Sequence, residues 1–328
     1  MNDAPLLDPV DDLLDVLDLK REGSTTIHVA SPTDVGEDLA DTPGDVFLGR
    51  SQPMPHGRVF GGQVLAQCVI AAGRTVDPVE DGSDTEPQER HIHSMHGYFL
   101  RPGDANRPLR FLVERMRDGR SFSARRVHAV QDGRILMSII MSFQEEAGGL
   151  EHHLEMPQVP GPDTLRSDKE ILERVEHPVA KVTARSRPVE IRHVERLLLM
   201  PDEPGPSEQS VWMRIPRELP DDTLLHAAIM AYASDYTLLE PILRRHGIGW
   251  GDPRLRPASL DHSMWFHRPG RFDDWVLYSQ SSPSAQSGRG LGLGHMYAAD
   301  GTLLATVGQE GMVRIKEPRT PGATPDFA

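Results

Sequence analysis

Residues 93–104 read HSMHGYFLRPGD, and residues 261–270 read DHSMWFHRPG. His-Ser-Met, an aromatic residue and Arg-Pro-Gly thus occur twice, about 167 residues apart. The flanking sequence recurs as well. RPLRFLVERM (107–116) leads through Arg117-Asp118-Gly119-Arg120 into SFSARRVHAVQ, then Asp132-Gly133, then RILMSIIMSFQEE. In the second half WVLYSQSSPSAQ (275–286) leads into SGRGLGLGHMYAA, Asp300-Gly301 and TLLATVGQEGMVRI. Asp-Gly between β-prone runs marks a hairpin, because a type I′ turn needs φ > 0 at both central residues. Each half reads as a long strand, a turn near Arg-Pro-Gly, and an antiparallel meander.

Each half also carries one apolar helix ahead of its meander. These are GGQVLAQCVIAAGRTV (61–76) and DDTLLHAAIMAYASDYTLLEPIL (221–243). The second opens on acidic residues, which suit a helix N-terminus. Both are apolar nearly all round, so each must be buried on most sides. A curved antiparallel sheet wrapped around the helix is one way to bury it.

The repeat divides the chain into a first unit (10–146), a linker region rich in proline and charge (147–209), a second unit (210–316) and a Pro-rich tail (317–328) expected to be mobile. DDLLDVLDLK (11–20) reads as a short amphipathic helix and TTIHVA (25–30) as a strand. PVEDGSDTEPQER (78–90) reads as an exposed loop. HPVAKVTARSRPVEIRHV (177–194) has room for a short strand, and VWMRIPREL (211–219) reads as the first strand of the second unit.

A length of 328 residues fits about two domains. Hydrophobic content of 38% against 26% charged residues predicts a packed core rather than disorder. The formal charge of −14 argues against nucleic acid or an anionic membrane surface as the main partner. It leaves room for an anionic small ligand at a local basic patch. No apolar run approaches the roughly 20 residues that span a bilayer. The acidic start MNDAPLLDPVDDLLD lacks the basic n-region of a secretory signal, and TPDFA is not an addressing tail. A single cysteine suits a reducing compartment, so the expected location is cytoplasmic.

GRVFGGQVLAQ (57–67), HSMHGYFLRPGD, RDGRSFSARRV (117–127), YASD (232–235), DHSMWFHRPG and QEG (309–311) together resemble the type II acyl-CoA thioesterases, the TesB-like family. The resemblance runs in order over roughly residues 10–315. It implies an α+β double hotdog: two tandem repeats, each an antiparallel sheet wrapped around a central apolar helix. The phrase would then occur twice because two hotdog units are fused. The resemblance also implies hydrolysis of a fatty acyl-CoA thioester by an activated water, with no cofactor and no metal, in a homo-oligomer.

Such hydrolysis needs a water, a base or orienting carboxylate, and donors for the carbonyl oxygen. The nucleophile-elbow pattern G-x-S-x-G is absent, since GRSFS (119–123) ends in serine. Cys68, inside an apolar helix, reads as a small core residue. The resemblance implies that Asp235, Ser259 and Gln309 act on the water. The family often has threonine where Ser259 stands; serine keeps the hydroxyl and loses χ1 stiffness. Read from the residues alone, Asp235 is either a helix-end residue turned to solvent or a carboxylate costly to bury. Gln309 by itself is an edge-strand polar residue, and Ser259 a turn or strand-start residue.

Phe60, Gly61, Gly62 and Gln63 open the first helix. The glycines there either let a ligand approach free N–H groups that polarise a carbonyl, or permit tight helix–sheet packing. The arginines at 115, 117, 120, 125 and 126 cluster around one hairpin. Arg125 and Arg126 either contact CoA phosphates or belong to a solvated face. His91, His93 and His96 have no Cys or acidic partners at ligand spacing, so no metal site is expected. Gly290, Gly292 and Gly294 sit in a strand, not at the strand-to-helix turn of a nucleotide loop. Two other functions remain open at this stage. A hotdog enoyl-CoA hydratase would use Asp221 and His226. A non-catalytic acyl-CoA-binding protein would need none of these groups for chemistry.

Overall fold

The computed structural model describes residues 7–27, 42–76 and 89–316. The 78–90 loop lies almost wholly outside the described residues, as do the 317–328 tail and the last three residues of the 25–30 strand. In chain order the elements are α1 (Pro9–Leu17), β1 (Lys20–Ile27), β2 (Thr42–Gly49), α2 (Gly61–Gly73), β3 (Arg90–Phe99), β4 (Leu109–Asp118), β5 (Phe122–Gln131) and β6 (Arg134–Glu145). They continue with α3 (Asp168–Leu172), α4 (Pro178–Ser186), β7 (Glu190–His193), β8 (Glu208–Arg214), α5 (Thr223–Ser234), α6 (Glu240–Arg245), β9 (Leu255–Ser259), β10 (Asp261–Phe266), β11 (Val276–Gln286), β12 (Arg289–Ala298) and β13 (Leu303–Ile315).

Among the described residues one antiparallel sheet runs β1-β2-β4-β5-β6-β3-β10-β13-β12-β11-β8-β7, with β9 alongside β13. The order is the same read inward from either end, with β3 and β10 at the centre. Their pairs are symmetric about His96 opposite Ser263, from Ser94–Trp265 at one end to Tyr98–Asp261 at the other. The fold is the double hotdog: a shared sheet whose inner face covers α2 and α5. Residues 62–72 of α2 and 226–234 of α5 are all buried, so no face of either helix is left for solvent.

The repeated phrase corresponds only in part. The N–H groups of Leu100 and Arg101 donate to the Leu136 carbonyl, and those of His267 and Arg268 donate to the Leu304 carbonyl. A side chain built on Gly103 would meet Leu136, and one on Gly270 would meet Leu304. Arg-Pro-Gly is therefore structurally duplicated. His-Ser-Met is not: the symmetry of the central pair makes Met95, not His93, the counterpart of His262, while the residues they pair with are Met264 and Gly97. Arg101 follows Met95 by six residues, whereas Arg268 follows Met264 by four.

Three further expectations are corrected. The apolar run 221–243 is two helices, not one. A helix through Pro241 would set its ring against the carbonyl four residues earlier, so the chain turns at 235–239 and restarts with Pro241 in the first turn of α6. The 177–194 segment holds strand β7 but also helix α4, which starts on Pro178. The Asp-Gly turns differ: Asp132 (φ 51) and Gly133 (φ 72) make the expected turn, whereas Gly301 has positive φ without Asp300. The second meander's type I′ pair is Ser287-Gly288 instead. Among the described residues no helix is long and apolar enough to cross a membrane.

Candidate active site

The two core helices run antiparallel and almost touch. A Cβ on Gly62 would lie 2.3 Å from the Tyr232 carbonyl oxygen, and one on Gly73 would lie 2.4 Å from Leu224. The N-terminus of α2 is thereby pressed against the C-terminus of α5. At that junction the residue capping α5 is Asp235. A Cβ on Gly61 would stand 2.6 Å from Asp235 Oδ2. The paired glycines thus serve packing and also a close approach, but the group that approaches is this chain's own carboxylate.

Gln309 Nε2 donates to Asp235 Oδ1 (3.0 Å) and to Ser259 Oγ (2.8 Å). The Ser259 hydroxyl donates to Asp235 Oδ1 (3.3 Å). The Gly62 N–H donates to the same carboxylate. Ser259 ends β9 opposite Gly311, while Ser263 in β10 pairs with Gly308. Between these two pairs three residues on this edge (260–262) therefore oppose two on β13 (309 and 310), which is a bulge. Strand side chains alternate faces, so Ser259 and His262, three apart, would point oppositely in a regular strand. The bulge lets both reach Gln309.

Burial pushes the Asp235 carboxyl up to about 6, although the bonds from Gln309, Gly62 and Ser259 oppose the rise. Such a group is ionised at neutral pH and basic enough to take a proton from water. The amide and hydroxyl beside it can hold that water. A groove of about 920 Å³ lies at the other end of α5, along Thr223, Ala227, His93 and His267. It contains none of Asp235, Ser259 or Gln309.

Two family profiles match the chain: one described as acyl-CoA thioesterase over residues 179–312, and one described as acyl-CoA thioesterase N-terminal domain over residues 50–144. Acyl-CoA thioesterase 2 of Haemophilus influenzae is 35% identical over 276 residues, covering 83% of this chain and 93% of that protein. The chain belongs to the acyl-CoA thioesterase family. Human acyl-coenzyme A thioesterase 8 is 36% identical over 284 residues, covering 83% of this chain and 85% of its own. Among solved structures, acyl-CoA thioesterase II TesB2 from Mycobacterium marinum is 37% identical with a TM-score of 0.70, covering 94% of this chain and all of that one.

Among the described residues of this thioesterase the cluster occurs once. By register, Ile92 opposite Phe143 in the first repeat corresponds to Ser259 opposite Gly311, and Met141 corresponds to Gln309. The residue capping α2 is Arg74, where α5 has Asp235. An apolar pair and an arginine cannot activate water.

The other site expectations divide. Phe60 packs on Tyr232 and Tyr236 (ring centroids 5.1 and 4.7 Å apart), so an aromatic wall adjoins Asp235. Gln63 is fully buried; its Oε1 accepts from the Gln52 N–H (2.9 Å) and its Nε2 donates to Gln67 Oε1 (2.9 Å). It ties the preceding loop to α2 and is not open to substrate. Arg125 is corrected likewise. It is fully buried, donating to Thr75 Oγ1 (2.9 Å), the Thr75 carbonyl (3.0 Å) and Asp118 Oδ1 (2.7 Å). A guanidinium with its donors turned inward cannot reach a phosphate. Arg126 stays partly exposed, ion-paired with Glu114 at 3.2 Å. The Gly62 N–H serves Asp235, which leaves the first-turn N–H groups of Gly61 and Gln63 as donors outside the helical ladder.

The hydratase pair does not form. Asp221 is exposed and paired with Arg271 (3.1 Å), whereas His226 is buried with Nδ1 accepting from the Phe272 N–H (3.1 Å). Among the described residues no three His, Cys, Asp or Glu side chains could hold a metal ion. Cys68 is buried in the core, and desolvation pushes its thiol pKa far up. Sequence reasoning missed His262, which bonds Gln309 from behind. Its place in the quoted phrase, three residues after Ser259, was the available signal.

Proposed function

We infer that this protein hydrolyses acyl-CoA to a free acid and CoA, with Asp235 as the base. The observation that carries the reading is a near-neutral carboxylate bonded to both a serine hydroxyl and a glutamine amide. Asp235 takes a proton from water as the water attacks the thioester carbonyl. Ser259 and Gln309 keep water and carboxylate in register. A first-turn N–H of α2, that of the partly exposed Gly61, stabilises the oxyanion. The acyl chain lies against the apolar side chains at this junction, Phe60 and Phe99, the latter within 3.1 Å of a Cβ built on Gly61.

The test is release of free thiol from saturated acyl-CoAs of graded chain length. A hydrolase gives thiol; a hydratase or a binding protein gives none, and no thiol from any chain length overturns the reading. kcat/KM is expected to fall tenfold per pH unit below about pH 6, because the carboxylate must be ionised in the free enzyme. A flat profile between pH 5 and 7 counts against Asp235 as base.

The same reading includes a cytoplasmic enzyme that self-associates. Support for assembly comes from the outer face of the central strands. Ile140 pairs with His96, and His96 with Ser263, so these point to one side, as do Tyr98 and Trp265 two residues along. Tyr98, Ile140 and Trp265 are all exposed. Large exposed apolar groups on one side of a sheet mark a contact surface, here for a second copy. Light scattering is expected to give a multiple of about 36 kDa, and the Trp265→Glu, Ile140→Glu double variant a monomer. A monomeric parent protein at micromolar concentration ends the assembly claim.

A further inference from the structure

We propose that His262 is a positioning residue for hydrolysis: its Nδ1–H fixes the Gln309 amide in the one orientation that presents NH2 to Asp235 and Ser259. The proposal rests on the function given above.

A glutamine amide has two orientations of nearly equal shape. In one, Nε2 faces Asp235 Oδ1 (3.0 Å) and Ser259 Oγ (2.8 Å), and Oε1 faces His262 Nδ1. In the other, the amide oxygen would lie against the carboxylate. The choice depends on what His262 offers. His262 is fully buried, and desolvation lowers its pKa to about 4, so at neutral pH the ring carries one proton. Gln309 Oε1 can only accept, which assigns that proton to Nδ1. Nε2 is then a lone pair, 2.9 Å from Ser234 Oγ, whose hydroxyl can donate to it. The Ser234 hydroxyl has one proton and a second acceptor in reach, the Ala231 carbonyl at 2.8 Å, so protonation of the ring at Nδ1 requires that proton to turn from Ala231 to Nε2. Ser234 directly precedes Asp235. One tautomer of one ring thereby ties the end of α5 to the amide that steadies its carboxylate.

The first repeat gives the comparison. The positions equivalent to His262 and Gln309 are Met95 and Met141, paired directly across β3 and β6 and both buried. A methionine pair fills this place in the sheet without polar groups to satisfy. A histidine–glutamine pair in the same surroundings costs stability unless every polar atom is partnered. It stands only in the repeat that holds Asp235.

The decisive measurement is the ¹⁵N spectrum of His262 in the full-length protein. The expected result is a neutral ring protonated at Nδ1; protonation at Nε2 alone overturns the proposal without reference to activity. Kinetics provide the second arm. His262→Leu is expected to lower kcat about 10–100-fold with KM within about twofold, the scale of a misplaced catalytic group. His262→Asn, which keeps an N–H near the Nδ1 position, is expected to recover most of that loss. Full kcat in His262→Leu, or His262→Asn no faster than His262→Leu, overturns the proposal. Should His262→Leu fail to fold, the ring tautomer and His262→Asn against the parent protein decide. Thiol release by the parent protein tests the underlying function separately.

Discussion

Asp235→Asn is expected to lower kcat by roughly 10²–10⁴-fold, the range for loss of a general base, while acyl-CoA binding persists. The substitution keeps shape and removes both the charge and the proton acceptor. Ser259→Ala and Gln309→Ala should each cost less, since water can replace one hydrogen bond. The three losses should not add, because all act on one water. The same Asp235→Asn variant should be more stable than the parent protein above about pH 6. A carboxyl raised from 3.8 to about 6 favours the neutral form in the folded state. Its penalty is absent below 3.8, grows between the two values, and is complete above about 6. The gain at pH 8 is about 1–3 kcal/mol from a shift of this size, with none at pH 3.5. Denaturant melts at the two pH values, run beside the kinetics, check both parts. Near-full activity in a folded Asp235→Asn protein removes Asp235 from the mechanism.

The second large effect concerns His193, buried where the linker meets α6. His193 Nδ1 is 2.8 Å from Asp168 Oδ1, and Nε2 is 3.0 Å from Glu240 Oε2. Burial works against its charge, but Asp168 and Glu240 outweigh this and raise its pKa to about 10. His193 in turn helps hold Glu240 below the ordinary carboxylate range against burial. His193→Ala leaves two buried carboxylates facing a cavity and is expected to cost about 3–5 kcal/mol, the scale for removing one member of a buried ionic network. Because the folded-state pKa is raised, the stabilisation is complete below about pH 6.5 and is lost as pH rises through about 10. The difference between the two proteins in urea melts should therefore shrink from pH 6.5 to pH 10. A constant difference would mean that His193 acts by packing alone. The network also borders the site: Arg187, bonded to Asp168 at 3.0 Å, lies over the Tyr236 ring, next to Asp235 in sequence.

Much of the architecture was legible in the residues. Two apolar runs with no polar face pointed to buried helices, and Asp132-Gly133 to a tight turn. These are local properties: side-chain volume, solvation and backbone freedom act within a few residues. The two-unit plan followed from the repeated Arg-Pro-Gly and the meanders around it. The identities of Asp235, Ser259 and Gln309 came from motifs that resemble the family; alone, each had an ordinary structural reading. What the line of residues could not reveal was direction. Arg125 and Arg126 are neighbours, and alternation along the strand sends one into the core, with only the other still partly exposed. Gln63 follows two glycines at the site and yet turns inward to Gln67. His-Ser-Met is written twice, but the symmetry of β3 and β10 makes Met95, not His93, the counterpart of His262. The site itself depends on two tertiary accidents of register. The missing side chain of Gly62 lets one helix start meet another helix end at Asp235, and one extra residue after Ser259 turns Ser259 and His262 toward the same glutamine. Both are relations between segments far apart in the chain, set by how close two backbones can come and by which strand carries the extra residue, so they existed only once the sheet had closed around its helices.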